Sequence, residues 1–124
     1  MLKLVFCLHR RRELSRAEFQ RYWRETHAAL VARHAQTLRI QRYVQLHTLG
    51  DDDPLNLALR ASRGAPEAYD GIAELWWASA EELAAATASD DGRRASQALL
   101  EDEQRFIDLA RSPLFVAREN VVIG

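Results

Sequence analysis

SRAEFQRYWRETHAALVARH, residues 15–34, is the stretch from which the rest of the chain can be read. Ser15-x-x-Glu18 has the spacing of a capping box, in which the serine hydroxyl and the glutamate carboxyl each satisfy a backbone N–H that has no partner within a starting helix. From Phe19 onward, Tyr22, Trp23, Thr26, His27, Leu30, Val31 and His34 follow one-face helical spacing, while Arg21, Arg24, Glu25, Ala28 and Arg33 fall elsewhere. The pattern predicts a long amphipathic helix from about Arg16 to Ala35. It also places a titratable imidazole, His27, on the side that faces whatever the helix covers.

Working outward, Leu2 to His9 alternates, with Leu2, Leu4, Phe6 and Leu8 on one face, and predicts a first strand. Leu38 to Leu49 reads as a second extended run, whose polar face carries Tyr43 and His47. Asp51-Asp52-Asp53-Pro54 is a turn cluster, and Leu55 to Pro66 is expected to be a loop with at most one helical turn. Gly71 to Ala78 is a compact third strand, apolar on both faces apart from Glu74. Ser79-x-x-Glu82 repeats the capping box before an Ala-rich helix, which Asp90-Asp91-Gly92 is expected to break. Ala95 to Ala110 resumes helical spacing, and Leu114 to Ile123 is a fourth strand. The order β-α-β-β-α-β is the ferredoxin-like split unit, an α+β fold with helices on one face of a four-stranded antiparallel sheet. Large apolar groups on both faces of the first and third strands leave the other face needing cover. A homodimer with sheets face to face supplies it, and Glu74, Glu119 and Arg42 are then expected to pair across that interface.

Bulk properties narrow the function classes. A chain of 124 residues fits one domain, residues 1–124. With 17 basic and 18 acidic residues there is no overall field to attract nucleic acid or anionic lipid. His9-Arg10-Arg11-Arg12 is the one dense basic cluster and reads as a solvated turn. The single Cys7 permits no internal disulfide and suits a buried thiol in a reducing cytoplasm. The apolar N-terminus is too short for a signal sequence or a membrane span. No dinucleotide fingerprint, phosphate loop or serine nucleophile elbow is present, and His27 and His34, seven apart, lack metal-site spacing, so neither metal nor cofactor is expected.

Ser15, Phe19-x-x-Tyr22-Trp23-x-x-x-His27, Tyr43-x-x-x-His47, Tyr69-Asp70-Gly71-x-x-Glu74-x-x-Trp77, Asp102-Glu103-x-x-Phe106 and Asn120-Val121-Val122-Ile123 together resemble the EthD-like family of the dimeric α+β barrel superfamily. The resemblance covers most of the chain and implies the same fold and a face-to-face dimer. The superfamily is functionally wide, containing cofactor-free lyases, isomerases and polyketide cyclases alongside haem-dependent and quinone-forming oxidases. In its muconolactone isomerase branch a helix histidine and a strand tyrosine would map onto His27 and Tyr43. This chain departs from that branch in having no cysteine on its middle strands.

Three readings follow. In the first, His27 moves a proton and Tyr43 holds an oxygen of a small hydrophobic or aromatic carbonyl or lactone compound, with Trp23, His47 and Trp77 binding it. His27 would be kept neutral by desolvation. In the second, the same pocket serves an oxidoreductase or haem protein. In the third, the protein is a non-catalytic accessory or ligand carrier, and His27 and Tyr43 are satisfied structural residues. Asp102 and Glu103 are read here as structural, pinning the second helical region to a neighbouring chain.

Overall fold

The computed structural model describes residues 1–124. β1 (Leu2–Leu8), β2 (Arg42–His47), β3 (Gly71–Trp77) and β4 (Leu114–Ala117) form one sheet in the order β2-β3-β1-β4. Every neighbouring pair is antiparallel, and Leu4 of β1 lies opposite Leu75 of β3 and Val116 of β4. This is the ferredoxin-like arrangement expected from the sequence.

The helix opened by Ser15 runs as α1 (Arg16–Tyr22), a π turn (Trp23–His27) and α2 (Ala28–His34). The capping box is formed on both sides, Glu18 N–H to Ser15 Oγ and Ser15 N–H to Glu18 Oε1. Its buried residues are Phe19, Trp23, His27 and Val31. In a regular helix each four-residue step overshoots one turn by ~40°, so four such residues would spiral off the sheet. The wider π turn, marked by Ala28 N–H bonding to Trp23 O, takes up that excess and keeps all four pointing at the sheet.

The core proper joins Leu8, Phe19, Trp23, Ala73, Phe106 and Ile107. Trp23 packs so closely on the start of β3 that a Cβ at Gly71 would lie 2.4 Å from its ring. Only glycine leaves that space.

Five boundaries differ from expectation, the first three for a local reason. β2 begins at Arg42 rather than Leu38, because the preceding helix ends in a turn with Arg39 at φ 59° and Leu38 buried beneath it. Residues 55–66 are mostly not loop: α3 (Pro54–Arg63) is capped by Asp53, which accepts from Leu55 N and Asn56 N, and closed by Gly64 at φ 59°. Its leucines 55, 57 and 59 alternate rather than forming a stripe, and all three are exposed. The Ala-rich helix α4 (Ala80–Ala88) ends at Ser89, which also caps α5 (Asp90–Glu103), so Asp90-Asp91-Gly92 opens a helix instead of breaking one. A Cβ at Gly92 would sit 1.6 Å from the Ala86 carbonyl oxygen, which explains the glycine. Finally, α5 stops at Glu103, Phe106 and Ile107 lie in the following turn, and residues 118–124 do not continue β4.

On the face away from the helices, Lys3 pairs with Glu74 and with Glu119 of the same chain, and Trp76 Nε1 donates to Glu119. Arg42 lies 4.7 Å over the Trp76 ring. The acidic residues expected to pair across an interface are therefore already paired within the chain. No helix is long and apolar enough to cross a membrane.

Candidate functional site

Between the helix face and the sheet lies a cavity of about 200 Å³ with largely apolar walls. α1, the π turn and α2 supply Trp23, His27 and Val31, β2 supplies Tyr43, and β3 supplies Leu75 and Trp77. The last turn of α5 supplies Glu103. A larger depression of about 410 Å³ beside α3 is open and flanked by Arg16, Arg60 and Arg63, and it holds none of the expected site residues.

His27 is 5% exposed and Asp102 is 4% exposed. They meet at 2.7 Å between Nδ1 and Oδ2. Asp102 also accepts from the Tyr22 hydroxyl and from Arg105 Nη1. Burial pushes the Asp102 carboxyl up, but hydrogen bonds from Tyr22 and His27 outweigh it and hold the group below the usual carboxylate range. An ionised carboxylate only accepts, so His27 carries its proton on Nδ1 and leaves the Nε2 lone pair free. For His27 itself burial is the larger effect and lowers the pKa, against the opposing pull of Asp102. The imidazole is thus neutral near pH 7, oriented, and set in the wall of the cavity.

Tyr43 sits across the same space. Its hydroxyl accepts a hydrogen bond from Gln45 Nε2 at 2.9 Å, and that amide also donates to the Trp23 carbonyl at 3.1 Å. With its lone pair engaged, the phenol keeps its own proton available to donate. Burial pushes its pKa up, against hydrogen bonding from Gln45 and Trp23. Glu103 completes the polar set: burial, and secondarily the charge of Asp102, lift its pKa to about 7.

The remaining expected residues divide. Trp23 and Trp77 both line the cavity, and Trp77 is fixed by Nε1–H donating to Leu38 O at 2.7 Å. His47 does not line it: the ring lies 4.5 Å from that of Trp23 and reaches Tyr43 only through Gln45, to whose Oε1 its Nε2 donates at 2.8 Å. His9 packs on Tyr69, outside the cavity. Asp102 and Glu103, expected to be structural, face inward instead. Adjacent helical residues point about 100° apart, so one turns to His27 and the other into the cavity. Their signal was their position at the inward edge of the helical spacing beside Phe106, which is itself 1% exposed.

The EthD domain model matches residues 11–110. The chain belongs to the EthD family. Among solved structures it is similar to an ethyl tert-butyl ether D (EthD) family protein from Bacillus halodurans, at 18% identity and a TM-score of 0.62, covering 97% of this chain and 99% of that one. An EthD-like protein from Ralstonia eutropha aligns at 18% identity and TM-score 0.61, over 98% and 95%. A dimeric ferredoxin-like protein of unknown function from Bacteroides fragilis aligns at 8% and 0.58, over 95% of each chain. At these identities the likeness is one of fold. No curated protein matches the EthD chain in sequence.

Proposed function

We propose that this EthD chain is a cofactor-free acid/base enzyme of isomerase, lyase or cyclase type, acting on a small hydrophobic or aromatic carbonyl or lactone compound held in the cavity. The carrying observation is the His27–Asp102 pair: one imidazole nitrogen is fixed by a buried carboxylate and the ring borders a cavity that Tyr43 also lines. His27 Nε2 takes a proton from the carbon beside the carbonyl. Tyr43 donates to the oxygen as negative charge develops there, with Gln45 holding the phenol in place. Trp23 and Trp77 provide flat apolar walls for an aromatic substrate.

The functional unit is a homodimer of single-domain subunits, each with its own cavity. Supporting this are the apolar groups on the open sheet face, among them Leu46 at 45% and Phe115 at 49% exposure, and the dimeric state ascribed to the Bacteroides fragilis neighbour. The thiol of Cys7 is buried and unpaired, which suits a reducing cytoplasm.

Screening of aromatic ketones and lactones for proton exchange or rearrangement, followed by His27→Ala, tests the reading. A loss of about 10²–10⁴-fold in turnover is expected. Full activity in that variant would overturn it, and binding without turnover in either protein would favour a carrier role.

A further inference from the structure

Glu103 is a carboxyl in an apolar cavity with nothing to neutralise it. The influences on it are burial and the charge of its neighbour Asp102, with no hydrogen bond or cation among them. No lysine or arginine lines the cavity. The titratable groups facing Glu103 are His27 from the π turn and Tyr43 from β2, with Asp102 behind on its own helix. β1, β3 and α4 contribute only uncharged side chains. Glu103 also ends α5, where the unpaired carbonyls of the last turn oppose further negative charge.

An anionic ligand would enter this space with no cation to meet it and with a carboxyl already present, whereas a carbonyl oxygen would find donors. We infer that the cavity takes an uncharged carbonyl compound: Glu103, in its carboxylic acid form, donates a hydrogen bond to that compound, while the cation-free apolar lining leaves an anion without a partner. The inference rests on the reading of the cavity as a ligand site and adds to it the charge class of the ligand and a second donor beside Tyr43.

Acetophenone and benzoate, nearly equal in size and different in charge, are suitable probes, with Kd measured by NMR titration of the intact protein at pH 6 and pH 9. Over that range Glu103 passes through its midpoint of about 7, the raised Tyr43 stays protonated, and the lowered His27 is neutral over most of it. Acetophenone is expected to bind roughly tenfold or more tighter than benzoate at pH 6, and to weaken about fivefold by pH 9 as the donor is lost. In Glu103→Gln, whose amide donates at every pH, the pH step should vanish. Carboxyl ¹³C titration of the wild type gives the same information without a variant, because acetophenone should raise the Glu103 midpoint. Benzoate binding as tight as acetophenone, a pH step that survives in Glu103→Gln, or a midpoint unmoved by ligand would overturn the inference alone. Failure of both probes to bind would overturn it together with the proposed function.

Discussion

The two faces of the sheet carry similar apolar side chains and put them to different uses. On the covered face Leu8, Ala73 and Trp77 are sealed by helices, and the polar groups among them, His27 and Asp102, are paired. On the open face Leu46 and Phe115 stay half exposed, and the charges of Lys3, Glu74 and Glu119 are satisfied locally beside Trp76. Burial is therefore what gives the covered face its chemistry. The same imidazole or carboxyl on the open face would be solvated and would titrate near its ordinary value.

The sharpest way to break this contrast is to hollow out the covered face. Trp23→Ala should cost about 3–5 kcal/mol in urea unfolding, since Trp23 is 1% exposed and packs on Phe19 and Gly71. A cost near zero would mean the helix is not seated as described.

Glu103→Gln tests burial against charge. Because the folded pKa of about 7 lies above the ordinary 4.5, the folded state holds its proton more tightly, and the ionised form is penalised as pH rises through that window. The glutamine variant should match the wild type at pH 4 and be more stable by about 3 kcal/mol at pH 9. Equal stability at both pH values would place Glu103 in water.

Asp102→Asn leaves the fold but loosens the ring of His27. A loss of about 1–3 kcal/mol is expected, together with a change in the His27 tautomer population visible by ¹⁵N NMR. On the open face the effect should be smallest: Leu46→Ser should alter the stability of an isolated subunit by within about 0.5 kcal/mol. Its measurable consequence should instead be a weaker dimer in sedimentation equilibrium. A large loss of subunit stability would show that the two faces are not as different as their exposure suggests.

Much of this was legible in the residues. The alternation of Leu2, Leu4, Phe6 and Leu8, the Ser15-x-x-Glu18 box and the inward spacing around His27 led to the correct sheet and helix layer, and Tyr43 and Trp77 line the same cavity as His27. What escaped was set by tertiary geometry or by competing signals. Alternating Leu55, Leu57 and Leu59 masked α3, although Asp53-Pro54 and Gly64 are good helix start and stop residues. Asp90-Asp91-Gly92 has the composition of a turn, yet a preceding serine cap converts it into a first helical turn. Asp102 and Glu103 lie at the inward edge of the helical spacing, yet nothing local says that α5 turns one to His27 and the other into the cavity rather than towards a neighbouring chain. The π turn is invisible in composition, being a response to the four-residue spacing of Phe19, Trp23, His27 and Val31.

His27 should be a neutral ring, oriented by Asp102 through Nδ1–H. Long-range ¹H–¹⁵N NMR of the imidazole between pH 4 and pH 8 tests it without a substrate. The Nδ1–H tautomer is expected at pH 7, with a midpoint below 6.5, the ordinary value from which burial lowers it. An imidazolium at pH 7, or a neutral ring protonated on Nε2, would contradict it.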